Sequence, residues 1–350
     1  MVTNLNQVEE TIIMEQKKPL TASELGGIWG KYQNDSLSLA VLSYFNQKAE
    51  DPEIKEVISD GLQLTKKHFN SVKTFFHEEK RPLPIGITKE DVDITKGRLY
   101  TDIFMLQYCL QLGMLGMRAA TIAVSMTTRE DLYDFFTRVL NDYSQFHQKA
   151  LVVTKAKGVL LESPTIPAPK EIDIVKKQNF LTGWFGEKRP LLSIEISHLF
   201  GNIQRNSLGA ATLLGFSQVA ERKEVRDYFL RGVEIAKKHV EIFSEVLESN
   251  DIPVPMGSDA LVTDLTETGV FSDKLMLLHT TGMITLGIGF YGLSISTNTR
   301  RDIASHYVRL SGEVGLYSED GENLLIKHEW LEEPPRMVDR GELIKTKGGK

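Results

Sequence analysis

A chain of 350 residues with 41% hydrophobic and 25% charged residues has an ordinary globular composition and the length of two domains of ~150–175 residues each. Its net charge of −6 disfavours nucleic acid, which selects a basic face to neutralise phosphates. The single cysteine, Cys109, excludes an intrachain disulfide and a cysteine-based zinc cluster.

The first stretch, MVTNLNQVEETIIMEQKKP, lacks the basic-then-apolar order of a signal peptide. The expected location is therefore the cytoplasm, or an internal compartment such as a spore. Residues 1–16 read as an N-terminal arm.

The rest is one unit written twice. FNQKAEDPEIKEVISDGLQLTKKH at 45–68 has a twin, FSQVAERKEVRDYFLRGVEIAKKH, at 216–239, shifted by 171. The shared register begins at Lys17 against Lys188 and runs to Pro164 against Pro335. Identical pairs include Glu24/Glu195, Gly61/Gly232, Asp102/Asp273, Gly116/Gly287, Arg129/Arg300 and Asp131/Asp302. So long a period marks two domains and not a solenoid. The expected organisation is repeat 1 at 17–164, a linker at 165–187, repeat 2 at 188–335 and a flexible tail at 336–350.

Each repeat reads as four helices. Helix A covers 21–48 and 192–219, with Ile28, Tyr32, Leu39 and Leu42 at helical spacing and a capping box at Thr21–Glu24. Helix B covers 52–78 and 223–249 and stops at Pro82–Gly86 and Pro253–Gly257. Helix C covers 99–126 and 271–297 and is apolar on nearly every side. Such a helix suits either a membrane or the inside of a large protein. Gln107, Gln111, Arg118 and His279 favour the interior, so the two C helices are expected at the contact between bundles, with no membrane. Glycines 113, 116, 282, 287, 289 and 292 are expected to let backbones approach there. Helix D covers 129–158 and 300–329; Arg129 and Arg300 near its start oppose the helix dipole, and Asp102 and Asp273 are their expected partners. Trp184 and Phe185 in the linker are expected to pack on a bundle.

The fold class is all-α: two tandem four-helix, ferritin-like, up-down bundles from an internal duplication. In the di-metal version of that plan, Glu-x-x-His motifs point inward. One occurs here, Glu195–His198, but its twin reads Glu24–Gly27. Both glutamates also fit a capping role. Height along an up-down bundle predicts that His68, Tyr108 and Asp142 share a level, as do His239, His279 and Glu313. Two imidazoles and a carboxylate suit a first-row metal such as Fe, Mn or Zn, with His198 or Asn202 as a further ligand. The alternative is a set of core histidines bonded to facing polar groups. Gly-rich phosphate loops, G-x-S-x-G and H-E-x-x-H do not occur in the sequence.

The segments RPLLSIEISHLFGNIQRNSLGAATLLGFSQVAERKEVRDYFLRG, VFSDKLMLLH and LYSEDGENLLIKHEWLEEPP resemble an uncharacterised two-repeat family of spore-forming bacilli. The resemblance covers essentially the whole chain. It implies ferritin-like bundles similar to spore coat protein F-type proteins and transfers no reaction. Where that family usually reads Pro-Phe-Ser-Asp, this chain has Val270-Phe271-Ser272-Asp273. Two functions follow as expectations. The first is a non-enzymatic structural or interaction protein, associated with the coat or with sporulation and partnered by other coat or sporulation proteins. The second is a metal-binding oxidoreductase or storage protein with its site in repeat 2.

Overall fold

The structure, a computed structural model, describes residues 18–172, 174–183, 188–254 and 260–347. The arm at 1–16 and the residues Trp184 and Phe185 lie outside them. Repeat 1 contributes α1 (Ala22–Lys48), α2 (Pro52–Glu78), α3 (Asp102–Ser125) and α4 (Glu130–Ala156). Repeat 2 contributes α5 (Ser193–Val219), α6 (Lys223–Glu248), α7 (Asp273–Thr297) and α8 (Arg301–Lys327). These are the two tandem bundles expected. Within the stretch expected as a tail, Arg340–Lys347 forms a short helix, α9.

Buried carboxylates fasten the helix ends. Glu24 closes a capping box with Thr21 at the start of α1 and also accepts from the backbone N–H groups of Thr128 and Arg129 at the start of α4. Burial opposes its charge, but these donors hold its pKa down at about 2. Glu195 repeats the device with Arg189, Leu192 and Arg300. Asp102 and Asp273 do not pair with Arg129 and Arg300 as expected. Asp102 accepts from the N–H groups of Glu50 and Asp51, and Asp273 from those of Glu221 and Arg222. These amides sit just before α2 and α6, so the two carboxylates pin the turns that lead into those helices, while the Asp51 side chain caps α2 itself through the N–H groups of Glu53 and Ile54. Arg129 is bonded instead to Asp131 and Glu79, and Arg300 to Asp302 and Asn250.

The two repeats meet around a local two-fold axis. Residues 171 apart touch each other, as Tyr108 does His279 at 3.0 Å and Lys96 does Glu267 at 2.8 Å. Self-pairs of this kind lie on the axis of an isologous interface. The off-axis contacts are reciprocal. Phe271 packs on Tyr44 with ring centroids 4.9 Å apart. Their counterparts are Tyr100 and Gly215, and there the Tyr100 ring stands where a Cβ on Gly215 would be, 2.5 Å away. Two antiparallel bridges, Val92 with Phe271 and Tyr100 with Val262, flank the axis. Phe271 is 171 residues after Tyr100 but Val262 is only 170 after Val92, so the register slips by one residue in this loop.

Helices α3 and α7 run side by side in the same direction, since Tyr108 meets His279 and, farther along, Arg118 meets Phe290. Their first halves are buried, including Phe104, Met105, Leu106, Leu275, Met276 and Leu277. Their second halves are buried on one side only, with Ala120, Phe290, Tyr291 and Ser294 inside and Ile122, Leu286 and Leu293 exposed. Of the described helices, α7 is long and apolar enough to cross a membrane, with 44% of its apolar window buried. The glycines divide likewise. Gly113 lies against His147 and Gly116 against the Tyr143 ring, whereas Gly282, Gly287, Gly289 and Gly292 face open space. Close backbone approach therefore occurs between α3 and α4, and not between α3 and α7 as expected.

Candidate functional site

Each bundle carries a polar layer inside an otherwise apolar core, at corresponding positions. In repeat 1 the layer is built on Lys31 and Asp35, one turn apart on α1. Asp35 is 1% exposed, and Lys31 donates a short salt-bridging hydrogen bond to it. The Lys31 ammonium also lies 3.4 Å from His68 Nδ1 and 3.4 Å from the Tyr143 hydroxyl. His68 Nε2 reaches the Asp142 carboxylate at 2.9 Å, and Lys67 binds the same oxygen from outside.

Donor logic fixes the proton. An ammonium can only donate, so His68 Nδ1 accepts and Nε2–H donates to Asp142. Burial, then the Lys31 charge, press the His68 pKa down to about 4, against the pull of Asp142. The imidazole is neutral at pH 7. Burial pushes Asp35 up to about 6, opposed by Lys31. Burial also works against the Lys31 charge, but Asp35 and Tyr143 hold its pKa above the ordinary value. Lys31 is thus a buried cation among a carboxylate, an imidazole and a phenol.

Repeat 2 builds the centre of its layer from neutral amides and phenols, with the Glu313 carboxylate at its edge. Asn202 and Asn206 replace Lys31 and Asp35. Asn202 Nδ2 donates to Ser294 and Tyr307, each at 3.2 Å, and Asn206 Nδ2 to the Tyr291 hydroxyl at 2.9 Å. That hydroxyl lies 2.8 Å from His239 Nδ1, and His239 Nε2 reaches Glu313 at 3.2 Å. Burial lowers the His239 pKa, with Glu313 opposing.

Of the four residues expected as metal ligands, the structure brings together two, His239 and Glu313. His279 faces the other repeat and bonds Tyr108. His198 lies toward the end of α7, where its Nδ1 meets the Thr297 hydroxyl at 3.0 Å. Among the described residues no group of three or more His, Cys, Asp or Glu side chains could hold a metal ion. Tyr108 and His279 do not face His68 and His239 because helix C turns that side toward the axis between bundles. Their places opposite His68 and His239 are taken by Lys31 and Tyr291. Neither was singled out from sequence, although a lysine on the apolar stripe of α1, between Ile28 and Leu42, was the available signal.

A groove of about 710 Å³ lies between the repeats and is lined by Gln107, Gln111, Gln204, Ser207, Glu241 and Glu245, among others. It touches neither polar layer. Cys109 is buried, and its thiol pKa rises to about 12, so it is no nucleophile.

No curated protein matches the chain. A solved structure from Bacillus halodurans, described as a candidate spore coat protein, is similar at 19% identity, covering 45% of this chain and 99% of that one with a TM-score of 0.37. The profile of one family matches twice, over residues 9–172 and 179–343. The chain belongs to that family, the proteins of unknown function termed DUF3231.

Proposed function

We propose that the chain is a non-enzymatic structural or interaction protein, a built-in dimer of helical bundles associated with the spore of a spore-forming bacterium. One observation carries the reading. The cation at the centre of the repeat 1 layer is the protein's own, the Lys31 ammonium against Asp35, His68 and Tyr143. A metal centre uses an imported cation at such a point, with carboxylates and imidazoles converging on it. Here an ammonium ends a side chain fixed to α1, and it rigidifies the core without offering an open coordination position. The spore setting rests on the sequence resemblance alone.

Elemental analysis of protein purified without chelator tests this reading. The expected result is no stoichiometric transition metal and an unfolding curve indifferent to EDTA. A metal near one equivalent per chain, lost in His239→Ala, would favour the oxidoreductase or storage reading. Immunodetection in the coat fraction of purified spores tests the setting, and signal confined to the vegetative cell would contradict it.

A further inference from the structure

Phe290 on α7 is buried with guanidinium groups over its ring from two directions. Arg118 of α3 lies 4.0 Å and Arg205 of α5 3.6 Å from its centroid. Both guanidinium groups therefore stack on this one ring. The cluster crosses between the repeats, since α3 belongs to repeat 1 and α5 and α7 to repeat 2. His198 lies two turns before Arg205 on the same face of α5. Between them Gly201 has no side chain, and Arg205 Nη1 would lie 3.2 Å from a Cβ placed there.

The three cationic or ionisable groups lack acidic partners. Among the described residues no carboxylate is bonded to Arg118 or Arg205. Arg205 donates to the Asn202 side-chain oxygen at 2.7 Å, and its Nε–H is buried with no acceptor. His198 Nδ1 is taken by Thr297. Stacking on an aromatic face uses the flat sides of a guanidinium and leaves its in-plane donors available, the geometry that suits bidentate oxyanion binding. The charges press on one another. After burial, Arg118 is the next cause lowering the Arg205 pKa, to about 10, and both arginines lower that of His198. A buried donor without an acceptor and like charges held together are both costly in a folded protein, and one anion relieves both. Repeat 1 has no counterpart, because the positions matching His198, Arg205 and Phe290 are Gly27, Asn34 and Ala119, and the one matching Arg118 is Gly289.

We propose that Arg118, Arg205 and His198 form a binding site for a phosphate-class oxyanion at the seam between the repeats. Arg118, exposed to solvent, closes over the anion, while Arg205 supplies the fixed inner donors. Neither is asked to catalyse anything.

Calorimetric titration of the full chain with inorganic phosphate, at constant ionic strength in chloride, tests this. Wild type is expected to bind one equivalent saturably. Arg118→Ala is expected to weaken binding about tenfold, the worth of one charge-assisted contact. Because Arg118 is exposed, this variant should melt like wild type. Arg205→Met should abolish binding. Arg231→Ala, which removes a surface arginine already paired with Asp320, should leave binding unchanged. Absence of saturable binding in wild type, or undiminished binding in Arg118→Ala, overturns the proposal. Equal affinity for acetate overturns the phosphate-class assignment.

Discussion

The two repeats solve the same problem, a polar layer inside a helical bundle, with opposite chemistry. In repeat 1 the charged groups Lys31, Asp35 and Asp142, joined by the neutral His68 imidazole, sit within a hydrophobic core that continues without a break across the two-fold axis. In repeat 2 amides and phenols form the layer, and the core is divided there. Ile196, Leu199, Ile203, Phe243 and Leu247 form a separate cluster beyond it. In repeat 1 Tyr32 bridges the levels by packing on Phe69 and Phe76, whereas its counterpart is the smaller Ile203. Duplicated folds therefore tolerate replacement of a whole buried network, and the repeat 1 network persists although Asp35 Oδ2 is buried without a hydrogen-bond partner.

The sharpest way to break this comparison is to unpair the charges. Lys31→Ala strands a buried carboxylate and is expected to cost about 3–5 kcal/mol, while the double variant Lys31→Met, Asp35→Leu recovers most of that loss. Chemical denaturation of the three proteins measures it. A Lys31→Ala chain as stable as wild type would show that water already reaches Asp35.

Acid titration separates the layers next. His279 is buried at the interface, and burial alone brings its pKa to about 4. The unfolded chain binds a proton below about pH 6.5 that the folded chain refuses, so stability is full above that pH and is lost as pH falls toward 4. Between pH 6.5 and 5 the loss is about 2 kcal/mol for this histidine. His279→Gln should remove that share of the slope. His68 has the same sign, but Asp35, raised to about 6, opposes it. The Asp35 contribution is full below about pH 3.8 and fades as pH rises through 6. Repeat 1 should therefore show the flatter response. Denaturation curves at the two pH values decide this, and a steeper dependence from His68 than from His279 would contradict it.

An identical glycine pair gives the smallest effect and the cleanest sign. Gly116 abuts the Tyr143 ring at 2.5 Å from a would-be Cβ, and its twin Gly287 faces open space. Gly116→Ala should destabilise by about 1–3 kcal/mol through overpacking. Gly287→Ala should stabilise by about 0.5–1 kcal/mol through helix propensity. Thermal melts that shift the same way for both would refute the placement of α7.

The duplication, the helix boundaries and the capping box of Thr21 and Glu24 are legible in sequence, because periodicity and capping act over a few residues, whereas the long-range bonds of Asp102 to Glu50 and Asp51 are not. The composition of the polar layers is not. Counting heights along helices fixed the level of His68 and Asp142 correctly, as their 2.9 Å contact shows. It could not fix helix rotation, and rotation turns Tyr108 and His279 toward the other bundle. Rotation is decided by long-range packing, here by Tyr100 entering the space that Gly215 leaves open.

The central claim is that the protein's own ammonium occupies the heart of repeat 1. Anomalous diffraction from crystals soaked in excess Mn²⁺ tests it most directly. The account predicts Lys31 Nζ beside Asp35 and His68 with no anomalous peak within bonding distance of either. A metal peak bridging Asp35, His68 and Asp142, with Lys31 swung aside, would contradict it.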